Sequence, residues 1–254
     1  MYTKARMYTK ILKLRCLTNL YVGNGDENFD IIDNSVEKDP VTGYPTINSS
    51  GVKGAFREAF RNTGFDDLNN VFGAEGDGAP GKLKFLSANI IARPMRSSKG
   101  TNPYELVTTQ RAIDIFNDLS LSLNAGISLK ADLVTNIPGN NCVEGITCPV
   151  TNGLKDVFGI NHLLVMNDSD YRSISLPVIA RNKLENGKSD NLWYEEIVPH
   201  QSVFYVTVTT SYSNKKLLNK FIKHLKKLNV IQFGGNASIG YGLCEVSVLE
   251  EKTK

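Results

Sequence analysis

A chain of 254 residues with 41% hydrophobic and 22% charged residues has the make-up of an ordinary globular protein and the length to bury a sizeable core. Its net charge of +3 neither demands nor excludes a nucleic-acid partner, so the placement of the charges has to decide. No apolar run approaches the ~20 residues of a membrane span, and Cys16, Cys142, Cys148 and Cys244 lack metal-type spacing; with no signal peptide, this predicts free thiols, a cytoplasmic setting and no membrane partner.

In chain order, Met1 to Arg6 reads as a tail, because MYTK at 1–4 recurs at 7–10. KILKLRCLTNL (10–20) alternates, with Leu12, Leu14 and Cys16 on one face and Lys13 and Arg15 on the other. That pattern predicts a half-buried strand. Asn24 to Pro40 follows with six carboxylates, Asp26, Glu27, Asp30, Asp33, Glu37 and Asp39. Gly23, Gly25, Pro40, Gly43 and Pro45 punctuate it as a loop. SSGVKGAFREAFRNTG (49–64) predicts a helix capped by Ser49 or Ser50 and ended by Gly64. Val52, Ala55, Phe56, Ala59 and Phe60 form its apolar face, and Lys53, Arg57 and Arg61 form a basic stripe.

GKLKFLSANIIAR (81–93) is strand-like. Roughly 100 to 195 is rich in Asn, Gly, Ser and Pro and reads as insertions on a core. SVFYVTVTT (202–210) is a strand rich in β-branched and aromatic residues. SNKKLLNKFIKHLKKL (213–228) is an amphipathic helix with six lysines opposite Leu217, Leu218, Phe221, Ile222, Leu225 and Leu228. LCEVSVL (243–249) alternates as a last strand. Strand–helix–strand at both ends predicts an α+β chain on the split βαβ, ferredoxin-like plan.

The three histidines, His162, His200 and His224, lie far apart, with no HExxH and no GxSxG. Chemistry would therefore rest on carboxylates with a hard metal such as magnesium. IQFGGNASIGYGLCEV (231–246) carries Gly234, Gly235, Gly240 and Gly242. Such glycines let backbone amides approach a phosphate. The loop leads into a strand near the carboxyl end, so neither a dinucleotide fingerprint nor a P-loop fits.

Together these segments resemble the RAMP superfamily. LYVGNGD, then DIIDNSVEKDPVTGYPTINSSGVKGAFRE, resembles its amino-terminal signature. FGAEGDGAPGKLKFLSANIIARPMRSSKG, VIARNKLENGKSDNLWYEEIVP and IQFGGNASIGYG resemble its later segments, in order, from about residue 10 onward. RPMRSSKG and NLWYEEIVP are most similar to the backbone subunit of type III-B CRISPR effectors, the Cmr complex. The resemblance implies one domain over 1–254, with an RRM-like palm at about 7–95 and 197–250. Insertions would fill about 96–196, including a β-hairpin thumb at about 176–196. It further implies a CRISPR RNA guide, a complementary target RNA, copies of the chain in a helical filament, and other type III-B subunits as partners. Target RNA would be cut at regular intervals with Mg2+ or another divalent cation, the RNA's 2′-hydroxyl being the nucleophile.

Carried over residue by residue, the resemblance makes Asp33 the catalytic and metal-holding acid. Tyr21 and Asp26 are auxiliary candidates, and Asp39 is a turn opener. RNA contacts are expected from Lys53, Gly54, Arg57, Arg93, Arg96, Ser97, Gly234, Gly235, Gly240, Tyr241 and Gly242. This chain has Tyr21 where the family often has histidine, NSSG in place of PGSS, and Ala237 where the family often has an acid. A tyrosine with a pKa of ~10 is a poor base at neutral pH. A non-catalytic scaffold, or a CRISPR-RNA-processing endoribonuclease of the same superfamily, are the alternatives.

Overall fold

The computed structural model describes residues 7–25, 32–61, 63–74, 76, 78–134 and 141–250. The elements are, in order, β1 (Met7–Cys16), β2 (Thr46–Ile47), α1 (Ser49–Arg61), α2 (Leu68–Phe72), β3 (Lys84–Arg96), β4 (Tyr104–Thr109) and α3 (Gln110–Ser122). Short pieces follow: β5 (Leu133–Val134), β6 (Cys142–Val143), β7 (Ile146–Thr147), β8 (Val150–Thr151), α4 (Lys155–Phe158), β9 (Leu163–Met166) and α5 (Asp168–Ser173). Next come β10 (Val178–Glu185), β11 (Lys188–Glu196), β12 (Val203–Ser211), α6 (Lys215–Leu225), β13 (Val230–Gln232) and β14 (Leu243–Val248).

One large mixed sheet organises the chain, in the order β13-β14-β1-β12-β3-β4-β9-β8-β5, with β2 alongside β3. The β4–β9 pair is parallel; β1 is antiparallel to both β12 and β14. On one face lie α1 and α6. Their apolar stripes meet β3 through an aromatic cluster in which Phe60 stacks on Phe221 and Phe72 on Phe85, with ring centroids 5.0 and 5.2 Å apart. Phe56 joins both sides of the cluster, packing on Phe85, Phe221 and Phe233. The predicted apolar faces of α1 and α6 are those that point inward: Val52, Phe56 and Phe60, and Leu218, Phe221, Ile222 and Leu225, are buried.

The opposite face of the sheet is covered too, which the alternation in β1 did not indicate. Thr109 caps α3 by accepting from the Ala112 amide, and Phe116 of that helix packs edge-on to Tyr205 of β12 and against Phe158 of α4. Thr9 donates to the Leu123 carbonyl and Lys13 to the Phe158 carbonyl. Thr9 and Lys13 on the polar face of β1 are thus met by the α3 and α4 side rather than left to water. Val203 to Thr210 of β12 are buried without a break, as expected of a central strand covered on both sides. Residues expected as insertions therefore contribute α3 and carry the sheet outward through β4, β9, β8 and β5.

β10 and β11 form a separate antiparallel hairpin with its turn at Asn186-Gly187. Both turn residues have positive φ, 50° and 79°, the pairing a two-residue hairpin connection needs. Most of its described side chains are exposed or half-buried; Glu195 and Glu196 at its root are buried. All four cysteines are free thiols, and Cys16 and Cys244 face each other across β1 and β14. Among the described residues, no helix is long and apolar enough to cross a membrane.

Candidate nucleic-acid interface

The root of the hairpin gathers two loops that are distant in sequence, the acidic loop and the glycine-rich loop. Asp33 is exposed, and its Oδ2 accepts a hydrogen bond from the Tyr194 amide at 2.8 Å. Next to it, the Asn34 amide donates to the Tyr194 carbonyl and the Asn34 carbonyl accepts from the Glu196 amide. The acidic loop is thus pinned, by backbone and by one carboxylate oxygen, to the end of β11.

Two adjacent glutamates of β11 point to opposite sides, as strand neighbours must. Glu196 accepts from the Val36 amide at 3.1 Å and from Lys38 Nζ at 2.9 Å, and so holds the acidic loop. Glu195 accepts from Asn236 Nδ2 at 2.8 Å and pairs with Arg181 at 3.0 Å, and so holds the glycine-rich loop. Arg181 in turn lies over the rings of Trp193 and Tyr241. Both glutamates lie in the NLWYEE stretch, to whose residues the sequence alone attaches no role. The available signal was a pair of carboxylates inside a strand just before the apolar Ile197-Val198, where a charge needs a partner.

Tyr21 borders the same junction. Its carbonyl accepts from the Gly235 amide. Burial, reinforced by the Glu195 carboxylate, pushes its hydroxyl pKa above the ordinary value. A proton on Tyr21 is therefore held more tightly than usual, and the phenol is suited to donate rather than to act as base.

The glycine-rich loop is packed against the protein itself. Gly235, Tyr241 and Gly242 amides donate to the carbonyls of Tyr21, Asn236 and Asn19, and the Gly240 amide donates to Ala237. A Cβ at Gly234 would run into the Tyr21 carbonyl, and one at Gly242 into the Phe233 carbonyl, at φ of 73° and 74°. Close approach of two backbones accounts for these glycines. The Gly235, Gly240 and Gly242 amides, expected to cradle a phosphate, are engaged internally.

On α1, Lys53 is half-buried and Gly54 exposed. Arg57 donates to the Gly73 carbonyl at 3.1 Å, and Arg61 pairs with Glu58 at 3.2 Å. A Cβ at Gly54 would meet nothing within 4 Å, so the protein's own packing does not require glycine there.

Arg93 is 4% exposed; it donates to the Tyr171 and Ile174 carbonyls and lies 4.4 Å over the Tyr171 ring. That places it inside the fold, bracing the segment before the hairpin, rather than on a phosphate-accessible surface. Arg96 is exposed and forked onto Glu144. Ser97 closes its own turn onto the Lys99 carbonyl. Asp39 accepts from the Val41 and Thr42 amides and from the Thr42 hydroxyl, closing a turn. Asp26 lies outside the described residues.

Of the carboxylates described at the junction, Asp33 alone keeps an oxygen free of these contacts: both oxygens of Glu195 and of Glu196 have partners, and Asp33 engages one of its two. Among the described residues no group of three or more His, Cys, Asp or Glu is placed to hold a metal. This suits an ion of the magnesium type, which takes one or two carboxylates and completes its shell with water and phosphate oxygens. It does not suit a site built from protein alone.

Comparison with known proteins gives one family and a consistent set of relatives. The RAMP superfamily matches residues 13–245. A Pyrococcus furiosus protein named CRISPR system Cmr endoribonuclease Cmr4 is 25% identical, the alignment covering 96% of this chain and 97% of that protein. Among solved structures, a chain from a type III-B Cmr-beta complex bound to cognate target RNA superposes with a TM-score of 0.77 at 21% identity, covering 95% of this chain and 97% of that one. Oligomeric Cmr4 from Pyrococcus furiosus superposes with a TM-score of 0.68 at 18% identity, covering 96% and 99%.

Proposed function

The chain belongs to the RAMP superfamily, and on that premise we propose that it is the guide-RNA-holding backbone subunit of a type III-B CRISPR effector, cutting complementary target RNA at Asp33. One observation carries this reading: Asp33, the glycine-rich loop and the root of the β10–β11 hairpin converge in a single hydrogen-bonded junction. In this reading β14-β1-β12-β3 with α1 and α6 is the ferredoxin-like palm, and the hairpin is the thumb. Copies of the chain stack along the guide, and the thumb parts the guide–target duplex beside Asp33. The relatives' names support RNA cleavage and assembly in a Cmr complex.

The chain's own contribution to cleavage is positional. The Tyr194 amide fixes one oxygen of Asp33, leaving the other to face an incoming 2′-hydroxyl or scissile phosphate. Near-attack geometry of that hydroxyl supplies most of the rate, because the reacting groups belong to one strand. A lone carboxylate 4 Å from a phosphodiester is repelled by about 4 kcal/mol at an effective dielectric of ~20. Magnesium, when bound by Asp33, would supply the opposing charge. Tyr21, held protonated, is placed to donate a hydrogen bond.

Asp33→Asn tests the reading more sharply than alanine, because asparagine keeps an oxygen for the Tyr194 amide and removes only the charge. Target cleavage by the assembled complex should fall at least a hundredfold, with guide and target binding unchanged. Cleavage at the wild-type rate would leave a binding scaffold. That second reading draws on Tyr21, whose tightly held proton leaves it unsuited to act as a base beside Asp33.

A further inference from the structure

Two of the four thiols, none of which takes part in the Asp33 junction, are set directly against each other. Cys16 closes β1, Cys244 lies in β14, and the two are register partners. Their sulfurs are 3.8 Å apart, and both residues are fully buried. The Cys16 amide donates to the Ser202 carbonyl, and the Cys16 carbonyl accepts from the Gln201 amide. Both backbone groups of Cys16 thus point away from β14. The adjoining hydrogen bond to β14 runs from the Leu17 amide to the Leu243 carbonyl at 2.8 Å. Cys16 and Cys244 are therefore a non-hydrogen-bonded antiparallel pair, the kind whose Cα atoms come within about 4.5 Å and whose side chains lie closest. That separation falls at the short end of the ~4.4–6.8 Å window for a disulfide. The backbone is placed for the bond, and side-chain rotation supplies the rest.

Burial by itself protects a thiol. Cys16 holds its proton more tightly than usual, because Cys244 shares a hydrogen bond with it and burial disfavours the thiolate. The way in is the edge of the sheet. On its other side Cys244 is paired with Ile231 of β13, a strand of three residues that ends the sheet. Directly opposite residues share a face, so local opening of this short edge strand, which costs less than opening the core, uncovers the flank of Cys244.

We propose that Cys16 and Cys244 form a peroxide-sensitive latch, a reversible disulfide that ties the last strand to the first. The thiol uncovered by opening loses its proton and gives an electron pair to a peroxide oxygen. The O–O bond breaks, hydroxide leaves as water, and a sulfenic acid remains. The second thiol, deprotonated in turn, attacks that sulfur; the S–O bond breaks, hydroxide again leaves as water, and the S–S bond forms. Two thiols lose two electrons and two protons, and hydrogen peroxide becomes two waters. The latch acts on the loop ahead of it. Gly242, just before Cys244 in the chain, donates to the carbonyl of Asn19, just after Cys16. Oxidation fixes the base of the glycine-rich loop, and a reducing thiol frees it again. The inference stands apart from any role in holding RNA.

The test treats the full chain with hydrogen peroxide, alkylates the remaining thiols under denaturing conditions and maps the peptides by mass spectrometry. The expected product is a folded chain lacking two hydrogens, with the Cys16 and Cys244 peptides joined, and dithiothreitol should separate them. Backbone hydrogen exchange over β13 and β14 should slow at least tenfold on oxidation, and the unfolding midpoint should rise by about 5–10 °C. Cys244→Ala should lose both effects; the wild-type peptide map carries the test even where that variant fails to fold. Cys16 and Cys244 recovered as separate alkylated or sulfinic peptides would overturn the proposal, as would their joining to Cys142 or Cys148 instead. A joined pair found only in chains that circular dichroism shows to be unfolded, or a joined pair with unchanged hydrogen exchange, would overturn it likewise.

Discussion

Gly54 and Glu195 give opposite lessons about single residues. Gly54 sits mid-helix, where glycine is worse than alanine by about 0.5–1 kcal/mol, yet nothing in the chain needs its missing side chain. Gly54→Ala should therefore raise the stability of the free protein by about that amount in urea unfolding. If RNA backbone approaches this face, the same change should weaken guide binding. A stabilised variant with unaltered RNA affinity would place the RNA elsewhere. Glu195 is the reverse case, a buried acid with every oxygen engaged. Breaking a fully buried pair costs about 3–5 kcal/mol. Because the Arg181 side chain retains 21% exposure, Glu195→Ala should lose less, roughly 2–3 kcal/mol, read by thermal unfolding. Glu195→Gln, which keeps an acceptor for Asn236, should lose less again.

Among the elements, α1 serves two layers at once. Its Phe56 side is fixed in the aromatic cluster, so Phe56→Ala should cost about 3–5 kcal/mol of stability. Its Lys53–Arg57 side should act on RNA instead: alanine at both positions should flatten the salt dependence of guide binding by roughly 1.5–2 units. Arg57 also holds the Gly73 carbonyl, so folding must be measured beside binding. An unchanged slope would make the stripe purely structural. α1, α6, β1, β12 and β14 were legible in the sequence because their apolar residues keep a clean period. α3 was not read, though Ala112, Ile113 and Phe116 keep helical spacing, because Ser120 breaks the apolar stripe and Asn- and Gly-rich stretches surround it. The Asp33 junction was half legible. The family resemblance singles out the acid, but its partner Tyr194 lies 161 residues away, beyond any local pattern. The glycine-rich loop is ambiguous in a different way, since a glycine forced by a neighbouring carbonyl and one that admits a phosphate look alike in sequence.

At the scale of the whole molecule, burial of phenols sets an alkaline limit. Burial pushes Tyr171 and Tyr205 up to about 12, and Tyr44 also upward, aided by Asp168. Folded-state values above the ordinary ~10 mean that their stabilising contribution is full below about pH 10 and lost as pH rises toward 12. Stability should hold to about pH 9.5 and then fall, with tyrosinate absorbance rising together with unfolding. Ionisation completed while the fold persists would contradict the burial of these rings.

The place of β1 in the sheet also bears on how the protein is made. It is a central strand, yet both of its neighbours arrive late: Met7 pairs with Ser211, and Leu12 with Val248. At ribosomal speeds of about 5–20 residues per second, the first strand waits on the order of 10–40 s for its partners. During that interval Leu12, Leu14 and Cys16 have no sheet to enter, and the nascent chain carries an unpaired, adhesive edge. Synthesis of β14, not of β1, completes the pairing of this central strand.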